Sequence, residues 1–435
     1  MKEKLQDLAK NLQGEFYSDA LLKALYATDA SVYRELPLAV ALPKTTEDLQ
    51  QLINFASKHN TSLIPRAAGT SLAGQCVGDG IVVDISKYFT KINQLNKKEK
   101  TVTLQPGVIR DDLNRFIEPY SLFFSPNTST SNRCMIGGMT GNNSSGTTSI
   151  KYGVTRDKII AMKCLLSDGS EVIFEAITPE EFQQKCKQQN LEGKIYRELY
   201  ELLKPKEVQQ EIHRQFPKGD IQRRNTGYAI DELITTEVFS EATGKLNICK
   251  LLAGSEGTLA FTTELTLQLD DLPPKHSALV AAHFKSIEDC LAAVEPVMTH
   301  SLFTCEMMDK TILDCTKNNL KYKENRFFIA EDPQAILMLE VRDHHQKDLE
   351  VQLQALLKEL QEHTQSYANP VLTGEHIEMA IELRKAGLGL LGNMDGDEKA
   401  VACIEDTAVS IPHLANYINE FTAIMKNFGQ RAVYY

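Results

Sequence analysis

Apolar residues recur along the chain with two different periods, which separates predicted helices from predicted strands. Residues 46–58 (TEDLQQLINFASK) carry apolar positions at helical spacing behind a Thr-Glu-Asp start, which predicts a capped helix. Residues 62–66 and 80–86 predict short strands, and residues 159–176 predict a hairpin with an Asp-Gly turn. The first part of the chain is therefore predicted to mix helices with short strands.

The pattern changes at DDLPPKH, where two prolines predict a domain boundary. Beyond it, residues 277–284, 335–342 and 399–406 predict strands, and residues 345–363 predict a long amphipathic helix. Alternating strands and helices of this kind predict an α+β domain with helices on one face of a mainly antiparallel sheet. The predicted domains are residues 1–270 and residues 271–435.

Composition narrows the class of protein. The chain has 435 residues and a net charge of -11, without a stripe of basic and aromatic residues, which argues against a nucleic-acid partner. No window of 18 uncharged apolar residues and no signal peptide is found, so no transmembrane segment is predicted. The nine cysteines show neither CxxC nor zinc spacing. We expect no metal site in this chain and a cytoplasmic location, with peripheral attachment to the inner membrane left open.

Three stretches of the chain are unusually poor in large side chains. The first, PRAAGTSLAGQ at residues 65–75, presents successive backbone N–H groups that can bind phosphate, although an isolated run of this kind more often forms a tight turn. The second, GGMTGNNSSG at residues 137–146, allows close backbone approach, and its alternative is a flexible linker. The third is GSEGT at residues 254–258. Three such loops favour a dinucleotide over an isolated phosphate.

The order of the motifs PRAAGTSLAGQ, IVVDIS, TLQPGV, IGGMTGNNSSGTTSIKYGVTRDKI, LSDGSEV and GSEGTLAFTTELTL resembles the FAD-binding domain of flavoenzymes of the vanillyl-alcohol-oxidase type. The resemblance covers residues 35–270. It points to the branch that holds the D-type subunit of glycolate oxidase, D-lactate dehydrogenase and D-2-hydroxyglutarate dehydrogenase. The implied fold class is α+β: a two-part FAD-binding domain followed by an α+β substrate (cap) domain with an antiparallel sheet.

The resemblance also implies where FAD binds. Residues 66–71 would cradle the pyrophosphate, residues 137–153 would line the isoalloxazine and ribityl side, and residues 256–258 would lie near the adenosine. Thr70 stands where some relatives carry a histidine bonded to the flavin, so noncovalent FAD is predicted. The predicted cofactor-binding residues are Pro65, Arg66, Ala67, Ala68, Gly69, Thr70, Ser71, Gln75, Pro126, Gly137, Gly138, Gly141, Asn142, Asn143, Gly146, Ser149, Tyr152, Gly153, Glu256, Gly257, Thr258 and Phe261.

Residues 374–414 resemble the substrate-domain segment of the same family, in which an arginine on a helix pairs with the substrate carboxylate. Arg384 is the matching position and the one predicted catalytic residue, although the residues alone favour an ordinary surface charge. Glu405 and Asp406 end a predicted strand, and Lys399 begins it. These three are candidate substrate contacts, with a solvated strand end as the alternative.

The resemblance implies an FAD-dependent dehydrogenase that oxidises a small 2-hydroxy acid of the D-lactate, glycolate or D-2-hydroxyglutarate class by hydride transfer to flavin. The electron acceptor stays open among a quinone, a flavoprotein and an iron–sulfur centre. Two alternatives also stay open. One is a noncatalytic or truncated flavin-binding subunit, and the other is a flavin reductase of the cell-wall-precursor type.

The chain ends at GQRAVYY, before the His-x-Gly-x-Gly-x-x-x-His-type stretch that in the resembling enzymes binds a divalent metal or acts as the base. We therefore expect the N-terminal part of a larger FAD and iron–sulfur oxidoreductase, with a substrate domain truncated at its C-terminal end. A divalent metal and an iron–sulfur cluster are expected only if a further C-terminal part exists.

Overall fold

The structure, a computed structural model, describes residues 1–221, 223–391, 396–397, 399–401, 404 and 407–434. The first part of the chain runs to residue 271. Its strands are β1 (Glu15–Tyr17), β2 (Ala39–Leu42), β3 (Leu63–Arg66), β4 (Ile81–Asp84), β5 (Ile92–Asn96), β6 (Thr101–Leu104), β7 (Leu122–Phe123), β8 (Ile159–Leu165), β9 (Glu171–Phe174), β10 (Phe261–Gln268) and β11 (Asp270–Asp271). Its helices are α1 (Lys2–Asn11), α2 (Ala20–Leu25), α3 (Thr46–His59), α4 (Arg110–Ile117), α5 (Ile136–Asn142), α6 (Ser149–Tyr152), α7 (Pro179–Lys187), α8 (Leu191–Leu203), α9 (Lys206–Gln215), α10 (Ile230–Ile234) and α11 (Cys249–Leu252).

Two sheets form the framework of this part. In the first, of order β1-β2-β4-β3, the three strands β2, β4 and β3 are parallel and β1 is antiparallel to β2. The second sheet, of order β5-β6-β10-β8-β9, is antiparallel throughout. Helix α3 packs Leu49 and Leu52 into the core of the first sheet, and a capping box formed by Thr45 and Asp48 begins it. The predicted capped helix is confirmed.

The second part of the chain is built on one antiparallel sheet of order β13-β14-β12-β15. Its strands are β12 (His276–Phe284), β13 (Thr304–Asp309), β14 (Ala335–Asp343) and β15 (Val371–Leu372). Its helices are α12 (Ile287–Ala292), α13 (Val294–Val297), α14 (Lys310–Cys315), α15 (Gln346–His363), α16 (Glu375–Leu391) and α17 (Leu414–Asn427). Short 3-10 helices occur at Glu118–Tyr120, Thr155–Lys158, Glu324–Arg326 and Ile411–His413.

Helices cover both faces of this sheet, so the prediction of helices on one face was wrong. Val280 on one face of β12 shares a core with Leu356 of α15. Leu279 on the other face shares a core with Leu383 of α16. Strands β12 and β14 are apolar at successive positions, and such strands must be covered on both sides.

Two further sequence predictions need correction. The stretch from residue 126 to 153 is not one continuous loop, because α5 and α6 form within it. Buried Ile136 and Met139 anchor α5 in the core, which outweighs the poor helix propensity of its glycines. The predicted strand at residues 399–406 is absent from its described residues, 399–401 and 404, and the others lie outside the described part of the chain.

The α+β fold class is confirmed, with an antiparallel sheet in the second part. The division at residue 270 stays a prediction. Among the helices that the structure describes, none has the length and apolar character needed to cross a membrane.

Candidate functional site

The loop that follows β3 presents a row of backbone donors. The N–H groups of residues 67–72 donate hydrogen bonds to no residue that the structure describes. Gly69 turns the chain through a left-handed conformation, with φ +65°. Small side chains at residues 67–69 leave these N–H groups uncovered, which is the arrangement that binds phosphate oxygens.

A positive charge lies directly under this loop. A Cβ at Gly69 would come within 2.4 Å of Nη2 of Arg66, so the guanidinium packs against the turn itself. Arg66 Nη1 donates to the carbonyl oxygen of Thr28 at 2.8 Å, and its guanidinium carbon lies 5.2 Å from the ring centre of Tyr26. A row of free N–H groups beside a fixed guanidinium fits a diphosphate.

The three side-chain-poor stretches converge in space. Gly138 lies against Ala67, with 3.3 Å between a Cβ built on Gly138 and the Cβ of Ala67. Gln75 accepts from Ser71 Oγ at 2.7 Å and donates to Oδ1 of Asn142 at 2.7 Å, which ties the first loop to the second.

The third stretch joins the second through the backbone. The N–H groups of Gly254 and Glu256 donate to the carbonyl oxygens of Thr140 and Gly141 at 3.0 and 2.9 Å. Gly257, with φ +73°, packs against Pro65, since a Cβ there would lie 3.0 Å from Cγ of the proline. The structure thus gathers residues from all three predicted loops into one surface, which we call the cradle: residues 65–75, 137–146 and 254–258.

Several predicted cofactor residues have packing roles that explain them without a ligand. A Cβ at Gly137 would lie 2.4 Å from Pro106, and one at Gly146 would lie 2.2 Å from the carbonyl oxygen of Asn127. Gly153 has φ +75° and lies against the carboxylate of Asp157. These glycines are needed by the fold itself.

Other predicted residues lie inside the protein. The ring of Phe261 is part of the apolar core of the first sheet, and Asn143 is fully buried. The Asn143 side chain donates to Asn225 Oδ1 at 3.0 Å and accepts from the backbone N–H of Arg156 at 2.8 Å. Ser149 is buried, and the carbonyl oxygen of Pro126 accepts from Arg110 at 3.1 Å. Direct contact of each of these residues with a cofactor stays a prediction.

Arg156, which the sequence predictions missed, joins the second and third loops from behind. Its side chain is buried, and burial lowers the pKa of its guanidinium. Nε donates to the carbonyl oxygen of Lys250 at 3.0 Å and Nη2 to that of Ala253 at 2.7 Å. In return, Lys250 Nζ donates to the carbonyl oxygen of Arg156 at 3.1 Å. The motif KYGVTRD contains Arg156, but nothing in its residue pattern indicates that the side chain points inward.

The cradle borders the second part of the chain through Tyr152. Its ring makes edge contacts with Phe123 and Phe303, with ring centres 5.2 and 5.8 Å apart. Ile150, on the same helix α6, packs against the core between β12, β14 and α15. Burial raises the pKa of the Tyr152 hydroxyl. The predicted isoalloxazine side of the cradle therefore lies at the junction of the two parts.

Arg384 lies on α16, facing β13, and forms an ion pair with Glu306 between Nη2 and Oε2. Each side chain is 15% exposed. Burial raises the pKa of the Glu306 carboxyl, while the guanidiniums of Arg384 and Arg223 act to lower it. Arg223 Nε in turn donates to Oγ of Ser145, in the second loop of the cradle, at 3.0 Å. Arg384 is thus a mostly buried charge in the sheet–helix interface, unlike an ordinary surface arginine.

The remaining candidate substrate contacts are less well defined. Lys399 is exposed. Glu405 and Asp406 lie outside the described residues. Among the residues that the structure does describe, no group of three His, Cys, Asp or Glu side chains is arranged to hold a metal ion. The prediction that this chain holds no metal stays a prediction.

Two family models match the chain in sequence order. The FAD binding domain matches residues 37–175, and the C-terminal domain of FAD linked oxidases matches residues 273–435. The chain therefore belongs to the family of FAD-linked oxidases.

Curated relatives agree with this assignment. The chain is 30% identical to D-2-hydroxyglutarate dehydrogenase of Pseudomonas putida, over 96% of this chain and 41% of the relative. It is 32% identical to D-2-hydroxyglutarate dehydrogenase of Escherichia coli, over 95% of this chain and 41% of the relative. It is 24% identical to glycolate oxidase subunit GlcD of Bacillus subtilis, over 93% of this chain and 72% of the relative.

The chain spans about two fifths of the length of the D-2-hydroxyglutarate dehydrogenases that it matches, 41% in each of the two described above. Among solved structures, alkyldihydroxyacetonephosphate synthase shares the fold, with a TM-score of 0.61, 13% identity and coverage of 90% of this chain and 64% of that chain. The sequence-based resemblance and the FAD prediction are confirmed by the family match. Thr70, in the first loop, offers no imidazole nitrogen for a covalent link, in agreement with noncovalent FAD.

Proposed function

We propose that the chain takes part in the FAD-dependent oxidation of a small 2-hydroxy acid of the D-lactate, glycolate or D-2-hydroxyglutarate class. Oxidation of such an acid to the 2-oxo acid removes a hydride from Cα and a proton from the hydroxyl group. Bound FAD would supply the hydride acceptor. The names of the relatives, D-2-hydroxyglutarate dehydrogenase and glycolate oxidase subunit GlcD, support this substrate class.

The residues of the chain would divide the work between the cradle and α16. The free N–H groups of residues 67–72 and the guanidinium of Arg66 would hold the diphosphate of the cofactor. Arg384 would bind the substrate carboxylate, because a guanidinium can hold a carboxylate by two parallel hydrogen bonds. Fixing the carboxylate orients Cα and lowers the entropic cost of reaching the reactive geometry.

One observation carries the proposal: Arg384 is connected to the cradle. Ser145 of the second loop binds Arg223, the charge of Arg223 acts on Glu306, and Glu306 pairs with Arg384. A carboxylate bound at Arg384 would therefore lie beside the loop that is predicted to line the isoalloxazine. An ordinary surface arginine would have no such connection.

The test is the visible spectrum of the FAD-loaded chain during anaerobic addition of D-lactate, glycolate or D-2-hydroxyglutarate. We expect the band of oxidised flavin to bleach with one of the three acids. A chain that binds FAD but is bleached by none of them would contradict the proposal and favour a noncatalytic or truncated flavin-binding subunit. Bleaching by NADPH alone would favour the flavin reductase.

Replacing Arg384 tests its role in the same assay. Arg384→Gln and Lys385→Gln each remove one positive charge from α16, but Lys385 is exposed. We expect Arg384→Gln to slow bleaching by about a hundredfold, as for the loss of a charged pair to substrate worth about 3 kcal/mol. Lys385→Gln should bleach like the unmodified chain. Equal rates in the two variants would contradict the assignment of Arg384.

Two properties of the whole protein belong to the proposal as well. We propose a quinone, a flavoprotein or an iron–sulfur centre as the class of electron acceptor, because each can take electrons from a reduced flavin. We also propose a cytoplasmic location. Fractionation of cells and reduction assays with each acceptor class test these two points.

A further inference from the structure

Glu306 is a carboxylate on a strand face that is otherwise apolar. Side chains alternate along β13, and Met308, two residues on, packs with Leu383 of α16 in one apolar cluster. Cys305 and Met307 pack against the core on the opposite face. A carboxylate at this position costs free energy unless a cation compensates for it. Packing alone therefore does not explain Glu306.

The compensating cation is Arg384, the proposed ligand of the substrate carboxylate. Both side chains are mostly buried, and both project into the interface between β13 and α16. A guanidinium carries five N–H donors on a rigid plane, so one carboxylate can fix its orientation while a second carboxylate binds along another edge. The geometry of the pair therefore suits an arginine that is held ready for a ligand.

We propose that Glu306 is a positioning residue, whose carboxylate oxygen fixes the guanidinium of Arg384 in the orientation that receives the carboxylate of the hydroxy acid. The inference rests on the proposed role of Arg384 and deepens it. An arginine side chain has many rotamers, and holding it in one of them before binding removes an entropic cost from the binding step. Glu306 also offsets the charge of Arg384, which moderates the attraction for an anion.

These two effects separate when Glu306 is replaced. Glu306→Gln keeps an oxygen acceptor at the same distance from the backbone and removes the negative charge. Glu306→Asp keeps the charge and withdraws the acceptor by one methylene. Glu306→Leu removes both. If position matters, a carboxylate should bind to Glu306→Gln at least as tightly as to the unmodified chain, and more weakly to the other two variants.

The experiment is calorimetric titration of the FAD-loaded chain with oxalate. Oxalate carries the carboxylate of a hydroxy acid but no Cα–H bond, so binding is measured without turnover. We expect Glu306→Leu to raise the dissociation constant about tenfold or more, the equivalent of one lost charged hydrogen bond, and Glu306→Asp to raise it less. Glu382→Leu, which removes an exposed carboxylate from α16, is the control and should bind oxalate normally. The affinity for FAD, measured in parallel, reports on folding.

The outcomes are distinguishable. If the unmodified chain binds oxalate, Arg384→Gln does not, and Glu306→Leu binds as the unmodified chain does, the proposed function stands and the inference about Glu306 is overturned. If the unmodified chain takes up FAD but no oxalate, the role of Arg384 falls and the inference falls with it. If Glu306→Leu does not fold, the order of Glu306→Gln and Glu306→Asp decides. Tighter binding by the aspartate variant would mean that charge, rather than position, is what Glu306 contributes.

Discussion

Replacing Arg156 by methionine removes the side chain that joins the second and third loops of the cradle. Methionine fills a similar volume and is at ease in a buried position. The two carbonyl oxygens of Lys250 and Ala253 lose their charged donor, while the backbone hydrogen bonds between the loops remain. The substitution therefore loosens residues 253–257 without touching the N–H groups of the first loop.

The size of the effect follows from these contacts. Hydrogen bonds to charged groups contribute about 1.5–3 kcal/mol each, so two of them amount to about 3–6 kcal/mol. Part of that is offset because a buried guanidinium no longer has to be desolvated, which leaves about 3 kcal/mol of lost stability. Ordering about one residue of backbone again on binding costs about 1.4 kcal/mol, which raises the dissociation constant of FAD about tenfold.

The assay is titration of the FAD-free chain with FAD, followed by flavin fluorescence, at a temperature where all variants are folded. Arg197→Met is the matched control. Arg197 also donates to two carbonyl oxygens, those of Cys186 and Gln188, each at 2.6 Å, but it lies on α8, away from the cradle. We expect Arg197→Met to lower the melting temperature and leave the affinity for FAD unchanged.

Two results would refute the reasoning. If Arg156→Met binds FAD as tightly as the unmodified chain, the third loop does not depend on this side chain. If Arg197→Met weakens FAD binding as much as Arg156→Met does, the effect comes from general destabilisation. Arg156→Lys should fall between the two states, because an ammonium group cannot reach two diverging acceptors as the planar guanidinium does.

Three further predictions concern single residues. Gly69→Ala should raise the FAD dissociation constant about tenfold, since a Cβ there strains a left-handed turn and displaces Arg66; Gly219→Ala, where a Cβ has open space, should leave it unchanged in the same titration. Asp48→Ala should lower the free energy of unfolding by about 3 kcal/mol in urea titration, because the buried carboxylate accepts from four backbone N–H groups, and a loss below about 1 kcal/mol would contradict this. Burial lowers the pKa of His283 below its usual 6.5, so its contribution to stability is present above pH 6.5 and is lost as the pH falls, since only the unfolded chain then binds the proton. His283→Gln should flatten the fall in stability between about pH 7 and about pH 5, and an unchanged slope would argue against a neutral buried imidazole.

The sequence was sufficient to predict elements whose residues act locally. The Thr45 cap of α3 and the Asp-Gly turn of the hairpin depend on a few neighbouring residues, and both occur as predicted. The convergence of the three loops was also predictable, because their residue types suit a shared ligand. Helix α5 was not, since a Gly-Gly-Met-Thr-Gly run forms a helix only where buried Ile136 and Met139 hold it in the core.

The rest of the site depends on contacts between residues far apart in the chain. Arg156 reaches Ala253 across 97 positions, and Glu306 meets Arg384 only because β13 and α16 pack on each other. No local pattern separates a buried arginine of this kind from a surface one. The helices on both faces of the second sheet follow from the same cause, because a continuous apolar run can be covered on one side or two.

The edge-to-face contacts of Tyr152 with Phe123 and Phe303 have a consequence for how the chain unfolds. The ring of a residue beside the cradle is held between one aromatic side chain from each part of the chain, at centre distances of 5.2 and 5.8 Å. Separating the two parts therefore disturbs α6, and melting α6 weakens the attachment of the second sheet. Heat should accordingly unfold the two parts cooperatively, in one calorimetric transition, and FAD should shift that whole transition to higher temperature.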